Sequence, residues 1–279
     1  GYQVVFATHS PMMVERAAAA DARIVRKVPA SGETRIMPTA RQVLEQRLQD
    51  DDKRLHTLFA LENANHWLFS DRVLITEGAT ERYLLPAIFE AVAGYQPEDD
   101  GLGILGLGGA GSIPDSLAVL DALGIEACAL ADLDFAANQA VQHGLMNAND
   151  EDLCECLRQI QEMADADPMI TIGRNGRPCS NKSSPGNKKP ATVFGEWAAR
   201  PDARATAETL HHKLRAHHIW LWTSGDIEHH LGLTGSRKDI TTWAPYRQRL
   251  FKEPCGEVIE DIDTVAAFVE WLLGQKSAT

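Results

Sequence analysis

The stretch Arg72-Val-Leu-Ile-Thr-Glu77-Gly78-Ala-Thr-Glu81 decides the fold. Its apolar residues are typical of a buried parallel strand, and Gly78 allows the backbone to turn sharply into a helix. Glu81 follows Glu77 by four residues, so both carboxylates can point into one space beyond the C-terminal end of the strand, where α/β sheets place their sites. The pattern predicts an α/β fold with an acidic site. The same sequence would also fit a glutamate that caps the helix and a second glutamate that is exposed to solvent.

Two further apolar runs end in paired acids. The first ends in Asp132-Leu-Asp134, and alternation along a strand would place both side chains on the same side. The second, after His218, ends in Asp226-Ile-Glu228. Three strands that each end in a carboxylate pair are hard to attribute to chance solvation. Oxygen ligands of this kind suit Mg²⁺ or Mn²⁺ rather than zinc.

The order of these motifs carries a resemblance. Glu-Gly-x-x-Glu followed by Asp-x-Asp resembles the Toprim domain of topoisomerases, primases and related nucleases. The segment Thr8-His9-Ser10-Pro11, after an apolar run, resembles the switch-histidine segment that closes ABC-type ATPase domains. Together, over roughly residues 1–240, they are similar to the OLD (overcoming lysogenization defect) family of nucleases. The resemblance implies a Toprim-like, mostly parallel sheet flanked by helices, with a helical and loop insertion.

The same resemblance implies a metal-dependent DNA endonuclease with two divalent cations, Mg²⁺ or Mn²⁺, and a role in phage defence. One half of the metal site would consist of Glu77, Glu81, Asp132 and Asp134, and the other of Asp226 and Glu228. Water is the expected nucleophile, because none of the tyrosines has an evident active-site context.

The resemblance also implies catalytic and ATP-contacting residues. Glu77 and Lys238 are the expected catalytic residues, because OLD nucleases carry a lysine downstream of the third acidic motif, and Lys252 is the alternative. His9 corresponds to a histidine that contacts the γ-phosphate of ATP; an ordinary loop histidine is the other interpretation. The sequence has no G-x-x-x-x-G-K-[ST] motif, so this piece alone is not expected to hydrolyse ATP. The expected partners are DNA and an N-terminal ATPase domain of the full-length chain.

Composition sets the limits of this interpretation. The 279 residues are 44% hydrophobic, which is enough for a substantial core, and the net charge of −12 argues against holding nucleic acid by overall positive charge. The five cysteines form no C-x-x-C pair, which favours a reducing cytoplasm over a disulfide framework. No apolar run reaches membrane-spanning length. The chain begins with Gly1 just before an apolar run, and we expect it to be a fragment.

Periodicity and the motifs divide the chain into five parts. The predicted division is an ATPase remnant at 1–40, a linking helix at 41–70, the first part of the Toprim core at 71–136, a helical insertion with a basic loop at 137–215, and the second part of the core with a C-terminal helix at 216–279.

The insertion reverses its charge along its length. Its second half, residues 173–190, is rich in Gly, Pro, Ser and Asn, and carries five positive charges with no acid. We expect this mobile loop to contact the DNA backbone, although a solvated linker would look the same. Its cations are Arg174, Arg177, Lys182, Lys188 and Lys189. The histidines that follow, at 211, 212, 217 and 218, lack ligand spacing and are expected at the surface.

Two alternatives remain open. The segment from Gly106 to Gly111 contains a G-x-G-x-x-G motif, and Asp132 follows where a ribose-binding acid would lie, as in a dinucleotide-binding domain. That interpretation leaves the other carboxylates without roles. The second alternative is a non-catalytic Toprim module that binds DNA or a partner for an ATPase.

Overall fold

The computed structural model describes residues 2, 4–5, 7–27, 32–47, 65–180 and 186–275. Its strands are β1 (Val25–Lys27), β2 (Thr34–Ile36), β3 (Arg72–Thr76), β4 (Leu102–Gly106), β5 (Glu126–Ala131) and β6 (Ile219–Leu221). Its α-helices are α1 (Ala40–Arg47), α2 (Ala79–Ala93), α3 (Ile113–Ala122), α4 (Gln139–Gln142), α5 (Glu151–Ala166), α6 (Pro190–Ala198), α7 (Arg204–Arg215), α8 (Ile227–Leu231), α9 (Ile240–Lys252), α10 (Cys255–Val258) and α11 (Ile262–Gly274).

The central sheet has four strands in the order β4-β3-β5-β6. Strand β3 runs parallel to β4, with Arg72 opposite Leu102 and Thr76 opposite Gly106. Strand β5 runs parallel to β6, with Ala131 opposite Leu221. Helices follow or precede each strand, as crossover connections of parallel sheets require. The predicted α/β fold with a parallel sheet flanked by helices is therefore confirmed.

The chain forms two compact units. The first comprises Gly1–Arg82, Tyr95–Cys128 and Gln275–Thr279, and the second comprises Tyr83–Gly94 and Ala129–Gly274. The predicted division into five parts along the sequence stays a prediction.

In the first unit, β3 is buried along its whole length. Its apolar residues pack with β4 and α3, which explains the continuous apolar run in the sequence. The strand begins at Arg72, whose guanidinium forms a buried ion pair with Asp100 in the turn before β4. β1 and β2 form a separate antiparallel pair.

In the second unit, the helices of the insertion pack on one another and on β6. The indole nitrogen of Trp197 on α6 donates a buried 2.7 Å hydrogen bond to the side-chain oxygen of Gln159 on α5. Lys213 on α7 joins Asp150 and Asp152 at the start of α5, with distances of 2.6 Å to each. The insertion is thus a helical layer held by specific polar contacts.

Some sequence expectations differ from the structure. Of the predicted linking helix at 41–70, α1 covers the start and a 3₁₀ helix, Asn65–Phe69, the end, while residues 48–64 lie outside the described segments. The described residues Tyr2, Val4 and Val5 are exposed and belong to no strand. No helix in the described segments combines the length and apolar character needed to cross a bilayer.

Candidate active site

The first pair of carboxylates lies just beyond β3. The strand ends at Thr76, so Glu77 is the first residue past it and is partly exposed. Glu81 lies in the first turn of α2 and is only 6% exposed. A Cβ atom on Gly78 would lie 2.9 Å from Oε2 of Glu81, so the glycine leaves room for that carboxylate. The predicted order of strand, glycine turn and helix is confirmed.

The second pair follows β5, but not through strand alternation. The strand ends at Ala131, and Asp132 begins a 3₁₀ turn, Leu133–Phe135, that contains Asp134. The expectation that alternation along a strand places both acids on one side is therefore wrong, because neither lies in the strand. A 2.7 Å hydrogen bond from the Leu133 amide to the Gly225 carbonyl holds this turn beside the turn that follows β6.

The third pair belongs to a helix start. Strand β6 ends at Leu221, five residues before Asp226, which caps α8 and accepts a hydrogen bond from the His229 amide. Glu228 lies in the first turn of that helix. Asp226 and Glu228 are 8% and 5% exposed, so both carboxylates are buried. The sequence pattern identified the pair, although these acids follow a turn rather than end the strand.

Lys238 neutralises this buried pair. Its Nζ lies 2.9 Å from Oε2 of Glu228 and 3.2 Å from Oδ2 of Asp226. Burial would lower the pKa of the ammonium, but the hydrogen bond to Glu228 and the charges of both carboxylates raise that pKa well above its usual range. The side chain remains 57% exposed, so the cation lies where the buried acids meet solvent. The alternative lysine, Lys252, is exposed at the end of α9.

His229 is a site residue that the sequence analysis missed. Its Nδ1 donates a 2.6 Å hydrogen bond to Oδ1 of Asp226, and this bond raises the pKa of the imidazole. Burial would raise the pKa of the Asp226 carboxyl, but the hydrogen bond from His229 and the charge of Lys238 hold that pKa well below its usual range. The spacing of three residues between Asp226 and His229 on a helix was the available signal.

Asp134 carries the opposite shift. Burial raises the pKa of its carboxyl, and the negative charge of Asp226 raises it further, against a hydrogen bond from the backbone. Like charges that repel in this way are relieved by a nearby cation. The second unit therefore brings together Asp134, Asp226 and Glu228 with Lys238 and His229.

Two glycines make the turn after β6 possible. Gly225 has φ of +115°, a conformation that L side chains rarely adopt, and its ideal Cβ would lie 2.8 Å from the Cα of Gly195 on α6. A Cβ on Gly195 would in turn lie 2.9 Å from the imidazole of His229. This close approach of α6 fixes the backbone just before Asp226 and the ring just after it.

The candidate residues were compared with the donor groups that metal ions require. Within the segments that the structure describes, no group of three acidic, histidine or cysteine side chains is arranged to hold a metal ion. The donor chemistry nevertheless fits a hard cation, because the candidate residues are carboxylates and two of them repel each other. The metal-ligand assignment of the six acids stays a prediction.

One cation of the basic loop forms ion pairs within the chain. Lys188 forms 2.7 Å ion pairs with both Asp167 and Glu196, which raise the pKa of its ammonium. Arg174 and Lys189 are exposed, whereas Arg177 is half-buried next to a short bridge between Ile172 and Pro178. Lys182 lies outside the described residues. The DNA-contact role of these cations stays a prediction, and the two exposed residues are its best candidates.

The histidines fall into two groups. His9 is exposed in a bend, and His212, His217 and His218 are also exposed, as predicted for the last three. His211 is buried, so its predicted surface position is wrong. Its Nδ1 donates a 2.8 Å hydrogen bond to the Leu221 carbonyl at the end of β6, and its ring packs edge-on against Trp220. The apolar face of α7 carries it inward, although its polar neighbours on that helix are exposed.

Comparison with known proteins places these residues in context. Residues 68–134 match the family described as "Overcoming lysogenization defect protein-like, TOPRIM domain". The chain is also 27% identical over 278 residues to the Old nuclease of Escherichia phage P2. That alignment covers 98% of this chain and 45% of the phage protein, so the chain spans less than half the length of this relative. The Toprim match includes both the Glu77–Glu81 pair and the Asp132–Asp134 pair.

Proposed function

We propose that this chain carries the nuclease active site of a Toprim enzyme and hydrolyses phosphodiester bonds of DNA as an endonuclease with two divalent cations, Mg²⁺ or Mn²⁺. The observation that carries the proposal is the Toprim match over residues 68–134, which contains four of the six candidate carboxylates. The similarity to the phage P2 Old nuclease supports the same class of activity.

The proposal assigns the cations to carboxylates. Glu77, Glu81, Asp132 and Asp134 would hold one, and Asp226 and Glu228 the other. Bound cations would supply an activated water and neutralise charge on the phosphoryl oxygens. Asp134 and Asp226 repel each other, and a bound cation would relieve this repulsion, which supports the proposal.

The chain's own residues have separate tasks. The Lys238 ammonium is positively charged and more than half exposed, so it can stabilise negative charge that develops on a phosphoryl group. Asp226 fixes the Nδ1 side of the His229 imidazole, which orients the ring. The close packing of Gly225 on Gly195 fixes the backbone before Asp226 and the position of the His229 ring.

The test is cleavage of supercoiled and linear DNA with Mg²⁺, Mn²⁺ or Ca²⁺. We expect cleavage with Mg²⁺ or Mn²⁺, and its loss in Glu81→Gln. Asp121→Asn is the matched control, because Asp121 is an exposed acid on α3 within the same unit as Glu81. Absence of cleavage with every cation, by a folded chain, contradicts the proposal.

A second candidate is a non-catalytic Toprim module that binds DNA or a partner. The ion pairs of Lys238 favour it, because the lysine neutralises charge on Asp226 and Glu228. Calorimetric titration with Mn²⁺ separates the two: binding of two cations supports the enzyme, and no binding supports the non-catalytic module.

We also propose that the nuclease site acts together with an ABC-type ATPase of the longer protein. The support is the Thr8-His9-Ser10-Pro11 segment, in which the Thr8 hydroxyl accepts a 3.0 Å hydrogen bond from the Ser10 amide. This chain alone should show no ATP hydrolysis above background, and ATP turnover by it would contradict the proposal.

A further inference from the structure

One helix face of the second unit carries aromatic rings around an arginine. Trp243, Arg247 and Phe251 recur every four residues along α9, so they line one side of that helix. Tyr83 on α2 lies beside them: its ring centroid is 5.7 Å from that of Trp243, and the two planes are tilted by 31°. We call these four residues the ring and arginine patch. All four belong to one compact unit.

Arg247 lies between two of the rings. Its guanidinium carbon is 5.6 Å from the ring centroid of Tyr83 and 5.6 Å from that of Phe251. In the part of the chain that the structure describes, its Nε is buried without a hydrogen-bond partner and no acidic side chain forms an ion pair with it. By contrast, Arg249 on the same helix is paired with Glu253 at 3.0 Å. Although the net charge of the chain is −12, no acid among the described residues compensates this cation.

The patch is accessible. Phe251 is 53% exposed, and Tyr83, Trp243 and Arg247 are partly exposed. The sequence contains six tryptophans, all in described segments. Trp67, Trp197, Trp220, Trp222 and Trp271 are at most 7% exposed, so Trp243 alone among them reaches solvent.

The inner face of α9 is formed instead by Tyr246 and Leu250, which anchor the helix. The rings of the patch are therefore not needed to complete that inner face.

The patch adjoins the candidate site. Helix α9 begins two residues after Lys238, and the Trp243 amide bonds to the carbonyl of Asp239, so one helical turn separates the ring from the lysine segment. At 1.5 Å per residue, Phe251 lies about 12 Å further along the helix than Trp243. That length matches a few nucleotides of an extended strand.

We propose that the ring and arginine patch binds unpaired nucleotides of single-stranded nucleic acid. The exposed rings offer faces on which unstacked bases can stack, and Arg247 offers a positive charge for the phosphates or a planar surface for a base. In a duplex the base faces are covered by their neighbours, so these rings select single strands over duplexes. The inference deepens the proposed nuclease function by naming the substrate class as DNA with an unpaired segment or end.

The experiment is a titration of the chain with a 20-nucleotide single strand and with its duplex, both in EDTA so that no cleavage occurs. Tryptophan fluorescence and the anisotropy of a dye on the nucleic acid are followed together. We expect the single strand to bind more tightly and to quench the emission of Trp243. In Trp243→Phe the quenching should disappear while anisotropy still reports binding, because a ring is retained.

Phe251→Ala and Arg247→Gln measure the contribution of the patch. Each should weaken single-strand binding by about five- to 150-fold, the range measured for lost base stacking. Arg249→Gln is the matched control and should bind as the parent does, because that arginine is held by Glu253. Phe251 is largely exposed, so its truncation leaves the fold intact even where Arg247→Gln lowers the melting temperature.

Parent affinity in Phe251→Ala, equal affinity for duplex and single strand, or no change in tryptophan emission on binding would each overturn the inference. Because binding is measured without a metal, the two proposals fail separately. Cleavage without patch binding leaves the nuclease proposal standing. Patch binding without cleavage leaves this inference standing and removes the nuclease proposal.

Discussion

The ammonium of Lys238 lies 2.9 Å from the carboxylate of Glu228, a residue that is 5% exposed. The same ammonium lies 3.2 Å from Asp226, so one half-exposed cation holds two buried acids in place. A carboxylate pair taken out of water needs such a partner, since uncompensated buried charge is costly. Lys238 is therefore coupled to the stability of this turn as well as to the proposed chemistry.

Lys238→Met should lower both activity and stability. We expect cleavage to fall about 10²-fold, the usual effect of removing one group that stabilises transition-state charge. The unfolding free energy without metal should fall by about 1–3 kcal/mol, because the two acids lose their donor. Urea unfolding and initial cleavage rates measure the two effects. Lys252→Met, at an exposed site at the end of α9, is the control and should change neither; an equal loss of activity there would reassign the catalytic lysine.

Asp134→Asn should raise stability while it abolishes cleavage, in contrast to Lys238→Met, which should lower both. Its carboxyl has a raised folded pKa, so the protonated form stabilises the fold at low pH and that contribution is lost as pH rises through the folded pKa. At pH 7 the ionised group is destabilising, and Asn should raise the unfolding free energy measured without metal. Metal-dependent cleavage should be lost. A stability gain without loss of cleavage would remove Asp134 from the metal site.

Gly225→Ala should destabilise the chain through strain at one backbone position. Alanine at φ of +115° is strained, and its Cβ would approach the Cα of Gly195 to 2.8 Å. We expect a loss of about 1–3 kcal/mol in urea unfolding. Cleavage should fall as well, because Asp226 follows directly.

Gly256→Ala is the matched control, because a Cβ there meets nothing within 4 Å and the residue lies in a short helix. It should be neutral or stabilise by up to about 1 kcal/mol. Equal effects of the two alanines would show that the turn before Asp226 is not specially constrained.

The sequence predicted the acidic motifs better than their geometry. The strand, glycine turn and helix around Gly78 follow from local propensity, and all three are present. The acidic pairs that begin at Asp132 and Asp226 were recognised from their sequence pattern alone. Both lie in turns and caps whose backbone is fixed by tertiary hydrogen bonds, such as that from Leu133 to Gly225. Periodicity carries no information on such contacts.

Residues that depend on partners distant in sequence were the least predictable. Lys188 resembles any loop lysine until Asp167 and Glu196 are seen on either side of it. His229 acquires its role from Asp226 and from the glycine at 195. The patch around Arg247 combines α2 with α9, which are separated by about 150 residues of sequence.

His211 should make stability depend on pH in the acidic range. Burial lowers the pKa of its imidazole from 6.5 to about 4, although the hydrogen bond to Leu221 opposes the shift. The unfolded chain therefore binds the proton more readily, and stability is lost as pH falls from 6.5 to about 4. The full contribution is on the order of 3 kcal/mol.

His211→Gln should flatten the pH dependence of thermal unfolding in that window, because glutamine does not take up a proton. His212→Gln, at the exposed neighbouring position, should leave the slope unchanged. If both variants keep the parent's slope, another group controls the acid sensitivity.

The exposed cations of the basic loop should set the salt dependence of DNA binding. With a net charge of −12, long-range attraction to DNA is absent, and local cations must supply the contacts. Each neutralised phosphate contributes a slope of about −0.9 to log affinity against log salt on duplex DNA. Replacing Arg174 and Lys189 by Ala should flatten that slope by up to about two contacts and weaken binding alike for all sequences.

Lys188→Ala is the contrasting variant, because its ammonium is already shared between Asp167 and Glu196. It should lower stability by at most about 1 kcal/mol, as expected for a partly exposed ion pair, and leave the salt slope nearly unchanged. Turnover at saturating DNA should be that of the parent in both cases, since the loop positions the backbone and performs no chemistry. A flattened slope in Lys188→Ala with none in the double variant would show that DNA displaces the internal ion pairs, and that Lys188 rather than its exposed neighbours carries the contact.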